Sequence, residues 1–365
     1  MNPKRYTRQT RLQGFGEAGQ QKLAAAKVLV IGAGGLGVPV LQYLSGMGVG
    51  TIGIVDNDVV DLSNLQRQIL YAENDIDQPK VKVAKQKLEA LNSEIEIIPF
   101  YTFISTENAL EIITDFDIVV DASDNFPTRY LVNDACVILK KPLVYGALHA
   151  FEGQVSVFNY QGGPTYRCLF PEMPNPEEIP DCNENGVLGI IPGIIGSLQA
   201  LETVKIITGI GETLSGKLLL FDGLSQSQQK IKFGLNPHHL KIKELQKSYE
   251  FSCATEVKSI EAEDFLEKWK AEDIQLIDVR NPEEVERQNL PETIQKDWKN
   301  IPLNKLQHES SKINLQKPTY FLCQSGIRSI KAIRLLEGLG IQGEFIDIKG
   351  GISAISTIAA TTKHT

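Results

Sequence analysis

Two kinds of chemistry are written into this chain, one at a glycine turn and one at its thiols. The run Gly32-Ala33-Gly34-Gly35-Leu36-Gly37 follows a β-branched apolar stretch, Val28-Leu29-Val30-Ile31. A carboxylate, Asp56, stands roughly 20 residues further on. Glycines at such a turn let the backbone approach a phosphate, and a following helix points amide N–H groups and its positive dipole at it. Asp56 is placed to accept hydrogen bonds from a ribose. The motif does not specify which nucleotide binds. No Gly-x-x-x-x-Gly-Lys-Ser/Thr run occurs, so phosphate binding must rest on this turn and on cations from elsewhere. The thiols are Cys136, Cys168, Cys182, Cys253 and Cys323. They are odd in number and scattered, which favours free, reactive cysteines over a disulfide framework.

The elements around the turn repeat a simple alternation. A helix over Val38–Met47 and a strand over Thr51–Val55 complete a strand–turn–helix–strand unit. Pro79 opens a helix through Leu91, with Val83, Ala84, Leu88 and Leu91 at helical spacing. Strands at Ile95–Ile98 and Phe116–Val120, a helix at Arg129–Leu139 and a strand at Pro142–Tyr145 follow. This predicts a parallel sheet covered by helices on both faces. After a strand at Gln154–Asn159, a long Pro- and Gly-rich loop spans Gly162–Gly189, a length usual for functional loops. Pro192 opens a helix to Thr208, and Lys217–Phe221 with Gln228–Phe233 form a closing antiparallel pair. A charged stretch with adjacent histidines then reads as a linker. From Ser259 a second, smaller α/β unit begins, with helices at Ala262–Lys270 and Ile327–Leu339 and strands at Ile274–Val279, Tyr320–Leu322 and Phe345–Ile348. The resulting domains are 1–235, a linker over 236–257, and 258–365.

Composition narrows the class. The 365 residues suit two or three domains, and 42% hydrophobic with 22% charged residues suits a large core. A net charge of −8 argues against nucleic acid and anionic membranes as partners. Met1–Gln13 is polar and basic with no apolar stretch behind it, so no secretory signal is expected. Apolar runs such as Val28–Leu44 are broken by glycine and proline, so no membrane span is expected either. The expected compartment is the cytoplasm.

Six stretches in order carry a resemblance. They are Arg5-Tyr6-Thr7-Arg8-Gln9, Gly32 to Gly37, Asp56-Asn57-Asp58, Ser63-Asn64-Leu65-Gln66-Arg67-Gln68, Gln78-Pro79-Lys80 and Asp121-Ala122-Ser123-Asp124-Asn125. Together, over about Met1–Phe233, they resemble the ubiquitin-activating-enzyme-like adenylyltransferases of the MoeB/ThiF group. The resemblance implies a Rossmann-like domain with a mixed sheet. It also implies ATP- and Mg²⁺-dependent adenylation of the C-terminal glycine of a ubiquitin-like sulfur carrier ending in Gly-Gly. Two anions must then meet, so cations and metal must neutralise them. Arg67 and Lys80 are the implied phosphate clamps and Asp124 the implied Mg²⁺ ligand. Gly35, Asp56, Ser63, Asn64, Ser123 and Asn125 complete the nucleotide pocket. Arg8 is implied to reach the site of a neighbouring subunit, which makes a homodimer. Cys182, in Asp181-Cys182-Asn183-Glu184, matches the group's loop cysteine and would take the activated acyl group. The group's zinc site of two Cys-x-x-Cys pairs is not kept: the positions read Cys168-Leu169-Phe170-Pro171 and His238-His239-Leu240-Lys241. With only Cys168 and His239 as ligands, no zinc is predicted, since a closed site needs four.

The C-terminal unit, about Ser259–Ala360, resembles a rhodanese domain. The matching stretches are Asp278-Val279-Arg280-Asn281-Pro282-Glu283-Glu284, Asn300-Ile301-Pro302-Leu303, Cys323-Gln324-Ser325-Gly326-Ile327-Arg328-Ser329 and Lys349-Gly350-Gly351-Ile352. A thiol on such a loop, at a helix N-terminus, meets converging N–H donors that favour an anionic persulfide. Cys323 is the implied persulfide carrier, with Arg328 adding positive charge, and Asp278 and Arg280 holding the scaffold with Glu284. Cys136 and Cys253 are given no chemical task. The sulfur would come from a cysteine desulfurase or thiosulfate. The carrier would be the small subunit of molybdopterin synthase, or else one serving thiazole synthesis or tRNA thiolation. An NAD-linked oxidoreductase and a non-catalytic carrier-binding scaffold are the rival classes.

Overall fold

The computed structural model describes residues 2–174, 186–249, 257–291, 294, 298–324 and 326–362. It divides into two compact units, Met1–Ser252 and Cys253–Thr365. The first is built on strands β1 (Lys27–Ile31), β2 (Thr51–Val55), β3 (Glu96–Phe100), β4 (Ile118–Asp121), β5 (Leu143–His149), β6 (Glu152–Phe158), β7 (Lys217–Asp222) and β8 (Ser227–Lys232). Their order in the sheet is β3-β2-β1-β4-β5-β6-β7-β8. The first five are parallel, and β6, β7 and β8 add antiparallel. The central strands are apolar on both faces, as burial between helix layers demands. One face carries Val28, Val30, Ile52 and Ile54, and the other Leu29, Ile31, Val55 and Val119.

Helix Gly37–Met47 covers the first face beside helix Ile190–Thr208. The latter is, by length and composition alone, apolar enough to cross a membrane, and half of it is buried within the unit. The helix starts before Pro192 because a proline in the first turn gives up an N–H that has no helical partner there. It is a core helix with buried polar residues. Gln199 is fully buried, and its amide Nε2 donates to Asp121 O at 2.7 Å.

The stretch from 236 carries local structure of its own. Asn236 caps a short turn, Pro237–Leu240. Tyr249 is buried in the first unit, with its hydroxyl donating to Asp134 Oδ2 at 2.7 Å. An aromatic ring with a polar tip found a buried partner, which the charged surroundings concealed.

The second unit holds β9 (Ser259–Ile260), β10 (Gln275–Asp278), β11 (Trp298–Asn300), β12 (Thr319–Leu322) and β13 (Phe345–Ile348). They form an all-parallel sheet in the order β11-β10-β12-β13-β9. Leu276, Tyr320 and Ile348 pack on one face, and Ile277, Phe321 and Phe345 on the other.

Candidate nucleotide and thiol sites

Strand order puts the nucleotide chemistry in one place. β1 lies between β2 and β4, and the register sets Val55 and Asp121 on either side of Ile31. The chain therefore leaves three adjacent parallel strands at one level, where the direction of winding reverses. That is where nucleotides bind in open α/β sheets. Gly32 N donates to Val55 O at 2.8 Å and Ala122 N to Ile31 O at 2.9 Å. Gly32 has φ +98°, and a Cβ there would lie 2.7 Å from Ala122 O, so only glycine suits this turn.

Asp56 clamps the turn. Its Oδ2 accepts from Ala33 N at 2.7 Å and its Oδ1 from Asp58 N at 2.8 Å. Burial pushes its carboxyl above the usual range, against the pull of these amides and of Lys80. Each oxygen keeps a lone pair for a ribose hydroxyl. From the other side, Tyr71 donates its hydroxyl to Ala33 O at 2.9 Å.

The two cations differ. Lys80 is only 4% exposed, and its Nζ lies 2.9 Å from Asp58 Oδ2. Arg67 is half-buried along the turn: a Cβ on Gly35 would lie 3.6 Å from Arg67 Cδ. Its guanidinium donates to Ser63 O at 3.0 Å, and no carboxylate pairs with it among the described residues. Ser63 and Asn64 sit on a short turn capped by Asp61, whose Oδ1 accepts from Ser63 N at 2.8 Å and Oγ at 2.5 Å.

After β4, Asp121 Oδ1 accepts from Ser123 N and Oγ at 3.0 and 2.6 Å, which turns the chain so that Asp124 is exposed. Asn125 caps helix Phe126–Leu139 by accepting from Thr128 N at 2.9 Å. Arg129, 8% exposed, donates to Ser123 O at 3.3 Å and lies over the Tyr145 ring. Three buried atoms here have no partner among the described residues: Gln68 Oε1, Asp121 Oδ2 and Arg129 Nε. Arg8 is exposed on helix Pro3–Thr10, and no described contact brings it to this turn. Cys182 lies outside the described residues, as does Cys253.

Of the degraded zinc motif, Cys168 lies against Asn236, just before His238. Cys168 Sγ accepts from Asn236 N at 3.3 Å and from Thr165 N at 3.4 Å. Beside it, Arg167 grips Asp134 with two bonds of 2.7 and 2.8 Å. No group of three His, Cys, Asp or Glu side chains able to hold a metal occurs among the described residues.

In the second unit, Cys323 follows β12 and directly precedes helix Ile327–Gly338. The thiol is 1% exposed and accepts from Gly326 N at 3.1 Å. Its Sγ is 3.4 Å from Ser329 Oγ, which donates to Asp347 Oδ1 at 2.5 Å. Arg328 pairs with Glu284 through two bonds of 2.6 Å. Asp278 and Arg280 instead pair with each other, both fully buried, so Glu284 belongs to the thiol loop and not to the scaffold pair. Cys136 is buried in the first unit's core, where burial raises its thiol pKa.

Residues 6–241 match the ThiF family. The chain belongs to that family. Residues 261–357 of this ThiF-family chain match the rhodanese-like domain. It is 42% identical to the "Adenylyltransferase and sulfurtransferase MOCS3" of Anopheles gambiae, over 92% of this chain and 81% of that protein. It is 44% identical to the "Probable molybdopterin-synthase adenylyltransferase" of Pyropia yezoensis, over 97% of this chain and 93% of that one. Among solved structures, E. coli MccB with ATP is similar at 26% identity and a TM-score of 0.57, covering 65% of this chain and 73% of that one.

Sequence reasoning missed Tyr71, Arg129, Ser329 and Asp347, and gave Asp58 no role. Asp58, Ser329 and Asp347 each lie within two residues of a quoted motif, which was a usable signal. Nothing in the sequence marks Tyr71.

Proposed function

We propose that this ThiF-family enzyme adenylates the C-terminal glycine of a ubiquitin-like sulfur carrier with ATP and then delivers sulfur to it from Cys323. The carrier is the small subunit of molybdopterin synthase. The observation that carries this is the meeting of glycine turn, Asp56 and Asp121–Asp124 at three adjacent strand ends, with Arg67 laid along Gly35. The relatives named above cover more than nine-tenths of this chain, and their names combine adenylyl transfer with sulfur transfer or molybdopterin synthase.

In the first step a carrier carboxylate oxygen attacks the α-phosphorus, and pyrophosphate leaves. Backbone amides of the turn face the phosphates, Asp56 orients the ribose, and Ser63 and Asn64 close the pocket. Arg67, free of a carboxylate among the described residues, is the clamp with donors to spare. Lys80 must share its ammonium between Asp58 and phosphate, which its three N–H groups allow. Asp124, exposed beside the turn, would hold Mg²⁺, an ion that takes one or two carboxylates and otherwise keeps phosphate and water. The metal would supply charge neutralisation. Arg8 would act from a second subunit of a homodimer.

In the second step the Cys323 thiolate takes a sulfane sulfur from a donor such as thiosulfate or a cysteine desulfurase. The terminal sulfur of that persulfide attacks the acyl carbon, and AMP leaves. A second thiol then splits the acyl disulfide to the thiocarboxylate and is left disulfide-bonded to Cys323. Described cysteines are unpaired, which suits work in a reducing cytoplasm.

ATP–pyrophosphate exchange with Gly-Gly-ended carriers tests the first step. Exchange that appears only with carrier is expected, and none with any carrier would sink the proposal. Cys323→Ser is expected to keep that exchange and lose thiosulfate sulfurtransfer.

A further inference from the structure

Cys323 heads a buried line of three side chains drawn from three elements. Cys323 follows β12, Ser329 lies in the first turn of helix Ile327–Gly338, and Asp347 lies on β13. They are 1%, 0% and 2% exposed, so bulk water barely touches them. Sγ to Oγ is 3.4 Å and Oγ to Oδ1 is 2.5 Å.

A hydroxyl has one hydrogen, and here Ser329 gives it to Asp347. Its oxygen therefore offers Cys323 only lone pairs, and the contact asks for an S–H donor. A thiolate at the same place needs the opposite arrangement, with the hydroxyl turned to sulfur and a proton on Asp347.

We propose that Ser329 and Asp347 are a proton relay that ionises Cys323 without involving solvent. The thiol proton passes to Ser329 Oγ as the Ser329 proton passes to Asp347 Oδ1. One S–H and one O–H bond break, two O–H bonds form, and the negative charge moves from carboxylate to sulfur with no net change. The thiolate is then held by the Ser329 hydroxyl and by Gly326 N–H. It attacks a sulfane sulfur such as that of thiosulfate, and sulfite departs with the electron pair of the broken S–S bond. The relay rests on Cys323 being the sulfur-accepting thiol.

Burial raises the Asp347 pKa, as a proton acceptor for a thiol requires, although bonds from Ser329 and Ser259 and the charge of Lys349 act the other way. The charged groups around the line are closed on partners of their own. Lys349 pairs with Glu261, Arg328 with Glu284, and Arg280 with Asp278. None supplies a lone charge that would pin the proton at one end.

The test uses the full chain. Iodoacetamide alkylation of Cys323 is followed by mass spectrometry of its peptide between pH about 6 and about 10. The parent is expected to react already near neutrality. Asp347→Asn and Ser329→Ala lose that neutral arm, react about tenfold more slowly at pH ~7, and speed up only as hydroxide ionises the thiol directly. Ser329→Thr, which keeps the hydroxyl, recovers the arm. Simple loss of a nearby negative charge would favour the thiolate and speed Asp347→Asn instead, so that result overturns the relay. A parent profile in Ser329→Ala overturns it too. That variant loses a single oxygen and carries the test if Asp347→Asn does not fold. Failure of the sulfur-carrying role itself appears separately, as sulfurtransfer at the parent rate in Cys323→Ser.

Discussion

At the scale of residues, the two cations of the nucleotide site make different predictions. Arg67 has no carboxylate to satisfy it among the described residues, so its charge is available to phosphate. Arg67→Ala is expected to cut pyrophosphate exchange by about 10²-fold or more, as loss of one charge-stabilising donor typically does. Arg67→Lys should recover little, since an ammonium lacks the planar fork. A second prediction concerns pH. The Arg328 guanidinium holds Glu284 below the ordinary carboxyl value of 4.5. A depressed carboxyl contributes stability above its unfolded value and loses it as pH falls through the folded one. Melting of the second unit should therefore drop as pH is lowered from about 5 to about 3. Glu284→Gln should flatten that drop by about 1 kcal/mol or less, because the pair is partly exposed. Much at this scale was legible in the sequence. Glycines and an acid at fixed spacing announced the turn, because Gly32 and Gly37 leave no room for a Cβ and the Asp56 carboxylate accepts the turn's amides. Partner choices were not legible: Lys80 with Asp58, Glu284 with Arg328, and Ser329 with Asp347 are set by tertiary contact across gaps that no local pattern encodes.

At the scale of elements, helix Ile190–Thr208 supports the site from behind. Gly196 lets it approach the start of helix Gly37–Met47 so closely that a Cβ would sit 2.4 Å from Leu36 O. Gly196→Ala is expected to cost about 1–3 kcal/mol by overpacking and to weaken exchange, since Leu36 belongs to the nucleotide turn. In the second unit the corresponding strut is the Asp278–Arg280 pair. Arg280→Ala leaves a buried carboxylate without its cation and should cost about 3–5 kcal/mol, whereas Asp278→Leu with Arg280→Met should cost far less. Alternating apolar periods made the parallel strands and their helices readable. Edges were harder. β11 and β9 are three and two residues long, too short to carry a period, and exist because β10 and β13 offer them unpaired backbone. The helix Pro3–Thr10 was missed as well, since its first turn offers only an Asn cap and a proline.

At the scale of the whole molecule, each unit has its own sheet and its own cores, and each can be followed separately. Both tryptophans, Trp269 and Trp298, belong to the second unit. Tryptophan fluorescence on heating should thus report that unit alone, while thermal loss of pyrophosphate exchange reports the first. Arg280→Ala is expected to lower the fluorescence midpoint and leave the inactivation midpoint in place, and Gly196→Ala to do the reverse. The strand order that assembles the nucleotide turn also sets a timetable for synthesis. β1 acquires its neighbour β2 soon after it is made, but its other edge stays open until β4 appears, with Val28 waiting for Ile118. For all that interval an apolar strand exposes unpaired backbone beside the ribosome. Slow translation or truncation before β4 therefore leaves the nascent chain open to aggregation through that unpaired edge.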